Sequence, residues 1–179
     1  MTNLVRDYNG TGPWSSASIL ERYSDYAARL SVQDLKDLSP KEYIRGEQRW
    51  IYPAMEKVIE GIKLGDLACA TIGVEFIEQD GKFVFGRILK AQTARALKAV
   101  ELPSSLVIRL RKRIVTMLIE GNIPREYKEY VRLLRKIGFS DLWSRIEASV
   151  PRENKYVMRH YGYLRAIHEK SPSVIRVVP

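Results

Sequence analysis

Ser104-Ser-Leu-Val-Ile-Arg-Leu-Arg-Lys-Arg-Ile-Val-Thr-Met-Leu-Ile-Glu-Gly121 is the stretch whose reading decides the fold. It follows Pro103, opens on two serines able to cap a helix and closes on a glycine. Those are the start and stop signals of an α-helix. At about 100° per residue, Leu106, Val107, Leu110, Ile114, Met117 and Leu118 cover one broad side. Ile108, Val115 and Ile119 widen that side beyond half the circumference. A helix this apolar needs neighbours on two sides, which makes it the expected central helix of a helical fold. Its polar sector carries Arg109, Lys112 and Arg113, expected in water. Arg111 falls inside the apolar arc and predicts an ion pair with a carboxylate of a neighbouring helix or a second subunit.

Working outward toward the C-terminus, one construction repeats. Asn122-Ile-Pro124-Arg-Glu126 predicts a helix start, Tyr127, Tyr130, Val131, Leu134 and Ile137 form its stripe, and Gly138 stops it. Ser140 predicts a short helix with Leu142, Trp143 and Ile146. Pro151-Arg-Glu153 predicts another with Val157, Tyr161, Leu164 and Ile167. The two Pro-Arg-Glu triplets stand 27 residues apart. They echo each other weakly and match no named solenoid consensus.

Toward the N-terminus the same spacing predicts a helix over 16–30, with a short helical turn carrying Leu35 and Leu38. Ser39-Pro-Lys-Glu42 has the form of a capped helix start. The helix expected after it carries Tyr43, Ile44, Trp50, Ile51, Met55, Val58, Ile59 and Ile62, kinked or split at Pro53 and ended by Gly65. Residues 66–86 admit two readings. Helix, turn, helix with Asp66 as cap is preferred, because helices surround the segment. The alternative is a small β-hairpin at 74–85 around Asp80-Gly81. A helix over 83–100 follows. The expected fold is therefore mostly α: a single domain of about seven antiparallel helices, as a compact bundle or a short α-solenoid-like stack. The domain spans 14–170, after a flexible lead at 1–13 and before a tail at 171–179.

The chain of 179 residues is 45% hydrophobic and has one cysteine, Cys69. It can build a core without a disulfide framework, and the lone thiol suits a reducing compartment. No run approaches the ~18 apolar residues of a membrane span, and no signal peptide is recognisable, so the expected location is cytoplasmic. The histidines, His160 and His168, match no zinc pattern, and neither phosphate-loop nor nucleophile-elbow motifs occur. No metal or cofactor is expected and no catalytic residue stands out, so an enzyme without these motifs is the least favoured reading.

Charge carries the functional signal. Residues 1–100 hold 14 Lys and Arg against 13 Asp and Glu, net +1; residues 101–179 hold 16 against 8, net +8. Such asymmetry concerns partners rather than fold. Arg125, Lys128, Arg132, Arg135 and Lys136 fall on the polar side of the 124–137 helix. Arg109, Lys112 and Arg113 do the same on the central helix, as do Arg152, Lys155 and Arg159 near the start of the last. Tyr156 and Tyr163 are interleaved with the latter group and are able to stack on single-stranded bases. The expectation is a non-catalytic module binding a polyanion, nucleic acid, through Arg109, Lys112, Arg113, Arg125, Lys128, Arg132, Arg135, Arg152, Lys155 and Arg159. The alternative is a protein-interaction scaffold for an acidic partner surface, and a homo-oligomer is left open. A helix-turn-helix formed by 104–120 and 124–137 is a weaker reading, since any two helices joined by a short turn satisfy it.

Overall fold

The computed structural model of the chain describes residues 4–170. Among the described residues are eight α-helices, two 3-10 turns and one three-stranded sheet, so the protein is mostly helical with a small β element. The chain packs as two compact units, Met1–Leu110 and Arg111–Pro179. The division falls inside the helix that the sequence marks most clearly, Ser104–Ile119. The tail at 171–179 lies outside the described residues, as do positions 1–3 of the expected lead.

The first unit corrects three expectations. Residues 42–51, expected as helix, form a hairpin of β2 (Glu42–Arg45) and β3 (Gln48–Ile51), with Tyr43 opposite Trp50. The loop between them is two residues, and Gly46 takes φ +61°, the left-handed geometry such a loop requires. Aromatic and β-branched side chains at Tyr43, Ile44, Trp50 and Ile51 suit strands as well as a helix, so the glycine decides. Pro53 consequently kinks nothing, because α2 (Met55–Lys63) begins just after it. The expected lead is structured at Leu4–Asp7: this strand, β1, lies parallel to β3, giving the order β1-β3-β2. Asn9 anchors the following loop by accepting the Ala54 N–H at 2.8 Å. The third correction is the turn carrying Leu35 and Leu38. It is not helical; Ser31 has φ +53°, Leu38 is buried and Leu35 is exposed.

The helices of this unit are α1 (Ser16–Arg29), α2, α3 (Leu67–Gln79) and α4 (Gly86–Ala99). The hairpin alternative at 74–85 is not formed. Residues 74–79 are the last turns of α3, and Asp80 ends it in a left-handed conformation. Asp66 caps α3 by accepting the Cys69 N–H at 2.8 Å, and its other oxygen accepts the Tyr23 hydroxyl at 2.8 Å. Eight of the thirteen α3 residues are buried, so this helix occupies the centre of its unit. Phe76 stacks obliquely on Trp14 (4.7 Å) and Phe83 (5.8 Å). Glu75 holds both Arg22, at 2.8 Å, and the Tyr26 hydroxyl.

The second unit contains the end of α5 (Ser104–Ile119), then α6 (Tyr127–Ile137), α7 (Trp143–Ser149) and α8 (Lys155–Lys170). The Pro-Arg-Glu echo has a structural cause. Each proline carbonyl closes a turn before the helix, accepting from Tyr127 N (2.9 Å) and Asn154 N (3.2 Å). Helix α8 is then capped by Asn154, whose Oδ1 accepts from Tyr156 N and Val157 N at 3.0 and 3.3 Å. Ile114, Leu118, Tyr130, Leu134, Ile146 and Leu164 are fully buried. Tyr127 is buried as well and donates its hydroxyl to the Ile114 carbonyl at 2.8 Å, tying α6 to α5. Trp143 lies between the rings of Tyr161 (5.4 Å) and His168 (4.8 Å), near parallel to both. Arg111 has the carboxylate partner its position predicts, Asp141 in the 3-10 turn Ser140–Leu142.

A candidate polyanion groove between two helices

Helices α6 and α8 pack together and leave a groove of about 760 Å³ on their outer side. The α6 wall is Lys128, Val131 and Arg132, preceded by Ile123, Pro124 and Arg125. The α8 wall is Tyr156, Arg159, His160 and Tyr163. The local reason is periodicity. Residues 128, 131 and 132 follow the i, i+3, i+4 spacing, and 156, 159, 160 and 163 extend it by a turn, so each set forms one helix face. The opposite face of α6, with Tyr127, Tyr130 and Leu134, is buried, which leaves its cations outside.

Four groove residues are cationic, and among the described residues none that lines it is acidic. Arg125, Lys128 and Arg159 are exposed, and among the described residues no carboxylate lies within ion-pair distance of them. Arg132 differs: its Nη1 donates to Glu129 at 3.0 Å, and the Glu129 side chain is only 5% exposed. At the α8 wall, Arg135 donates from Nη1 to the Tyr163 hydroxyl at 3.1 Å. The Lys155 ammonium lies 5.2 Å from the Tyr156 ring centre, within cation–π range. His160 packs edge-to-face on Tyr127 at 5.1 Å. Burial, then the nearby Arg159 charge, holds its imidazole below the usual histidine range, so at neutral pH it adds no charge.

The structure thus brings together Arg125, Lys128, Arg132 and Arg159, with Arg135 and Lys155 each reaching a groove residue. It does not bring in the others. Arg109 belongs to the first unit and is held bidentate by Glu78, at 3.0 and 2.5 Å, instead of standing in water. The hydrogen bonds to Glu78, helped by its charge and opposed by burial, raise the Arg109 pKa further. Lys112 is exposed and Arg113 half-buried on α5, outside the groove. Arg152 donates to the Glu147 carbonyl at 3.2 Å and sits over the Tyr161 ring. His160 and the apolar lining residues Ile123 and Val131 are not marked by the sequence as part of a site. Only knowing that α8 lies against α6 singles them out.

Among the described residues no three His, Cys, Asp or Glu side chains converge as metal ligands, and no helix is long and apolar enough to cross a membrane. Cys69 is buried, and burial first, then the Asp66 charge, pushes its thiol well above the usual range, which disfavours the reactive thiolate. Comparison with models of known protein families, with curated proteins and with solved structures gave no match to this chain.

Proposed function

We propose that this chain is a non-catalytic binding module whose α6–α8 groove takes the phosphate backbone of a nucleic acid. One observation carries the reading: Arg125, Lys128 and Arg159 converge on one groove, and among the described residues no carboxylate neutralises them. Cations held together without internal partners are satisfied by an external polyanion, and releasing the polyanion's condensed counterions drives the association. Exposed, solvated lysines and arginines are common on helices. Convergence inside a concave site that is also lined by Tyr156 and Tyr163 is what distinguishes this set.

The test is fluorescence anisotropy of labelled oligonucleotides titrated with the full chain, over a range of salt concentrations, with an acidic polypeptide as a second titrant. The expected result is saturable nucleic-acid binding that weakens linearly in log–log form as salt rises. Binding of the acidic polypeptide with none to oligonucleotides would overturn the reading in favour of a protein partner. Absence of binding to either would overturn it outright.

A further inference from the structure

The groove has two kinds of wall, and the cations account for only one. Tyr156 and Tyr163 stand on the other, seven residues apart on α8. Seven residues are two turns, so the rings share a face and are separated by about 10 Å along the axis. They remain 64% and 38% exposed, whereas Tyr127, Tyr130 and Tyr161 of the same unit are buried in its core. Neither ring is buried in the core: the Tyr163 hydroxyl accepts from Arg135 of α6, and Lys155 lies over Tyr156.

Resting on the proposed nucleic-acid reading, we infer that the groove is selective for single strands: Lys128 and Arg159 take phosphates while Tyr156 and Tyr163 each stack an unpaired base. The spacing fits. A stacked strand advances about 3.4 Å per nucleotide, so rings about 10 Å apart meet bases about three nucleotides apart, and fewer when the strand is extended. A duplex offers the cations the same phosphates but keeps its bases stacked inside, where neither ring reaches them. Stacking needs only a π-face, so the preference is for strandedness and not for sequence.

The test compares the full chain with Tyr156→Leu/Tyr163→Leu and with Tyr156→Phe/Tyr163→Phe. Probes are single-stranded oligothymidylate, its duplex with oligoadenylate, and inorganic polyphosphate. The wild type is expected to bind the single strand more tightly than the duplex. The leucine pair should lose roughly tenfold or more for the single strand, with duplex and polyphosphate affinities and the salt dependence unchanged. The phenylalanine pair keeps the rings and should restore binding. Equal losses on all three probes, or no loss on the single strand, would overturn the inference. Equal wild-type affinity for single strand and duplex would overturn it while leaving the nucleic-acid reading standing. Binding of polyphosphate with no binding of either oligonucleotide would remove both.

Discussion

Neutralising Lys128 and Arg159 together, as Lys128→Gln/Arg159→Gln, tests the groove most directly. Both are exposed, line opposite walls and have no carboxylate partner among the described residues, so glutamine removes charge without stranding an internal acid. Of the four cations lining the groove, Arg132 is paired with Glu129, which leaves three. If each of these meets one phosphate of a single strand, at roughly −0.7 in slope per contact, log K falls with log salt at about −2.1. Removing two contacts brings the slope to about −0.7. The two lines converge near 1 M salt, so at 0.1 M the variant binds about 25-fold more weakly, or about 2 kcal/mol. The assay is anisotropy at several salt concentrations, with a thermal melt of each protein as control. Surface substitutions of this kind shift stability by no more than ~0.5 kcal/mol. An unchanged slope, or a loss of affinity equally large at the highest salt, would refute the reasoning. Reversing Lys128 and Arg132 instead confounds the experiment. Arg132→Glu takes a partner from the buried Glu129 and sets a second carboxylate three residues away on the same helix face.

Three further outcomes follow from the packing. Gly61→Ala should lower the melting temperature, because a Cβ there stands 2.4 Å from Cys69 Sγ and 3.1 Å from its Cβ. Overpacking of ~1–3 kcal/mol exceeds the ~1 kcal/mol gain in helix propensity, and Gly61→Ala/Cys69→Ala should recover most of the loss; a single variant melting at or above wild type contradicts this. Asp66→Ala removes the α3 cap and the acceptor of the buried Tyr23 hydroxyl, with an expected loss of about 2–4 kcal/mol in urea unfolding, part of it restored by Asn; a loss below about 0.5 kcal/mol would show the pair is dispensable. His160 has a depressed folded pKa, so above the unfolded value near ~6.5 it is neutral in both states and pH has no effect through it. As pH falls below ~6.5 the unfolded chain takes the proton first and stability drops, whereas a bound polyanion favours the charged ring and affinity rises. Both trends should flatten in His160→Gln, and a pH profile identical to wild type would exclude His160 as their source.

Much of the helical content was legible because its signals are local. Pro103, the Ser104 start and Gly121 bracket α5, Asp66 caps α3, and Gly65 and Gly138 close the helices before them. The errors lie where the deciding contact is distant. Strand β1 exists because residues 4–7 find residues 48–51, more than forty positions on, and nothing within four residues announces that. The segment 39–51 misleads differently: Ser-Pro-Lys-Glu is a sound helix opening, but Gly46 in the left-handed region turns the chain back before a second helical turn forms.

The site divides along the same line. Periodicity alone places Lys128 and Arg132 on one face of α6, since the face is a property of that helix. Which helix faces it, and which charges are already satisfied, are properties of the tertiary contacts. Arg109 illustrates the difference. By spacing it is as good a candidate as Lys128, yet Glu78, thirty-one residues earlier, holds it at 2.5 Å. A net charge of +8 over residues 101–179 therefore overstates what is available to a ligand. What bears on binding is the smaller set that shares a groove and has no carboxylate partner among the described residues, Arg125, Lys128 and Arg159. Such a set concentrates positive potential in one concave site, as the same charges spread over a convex surface would not.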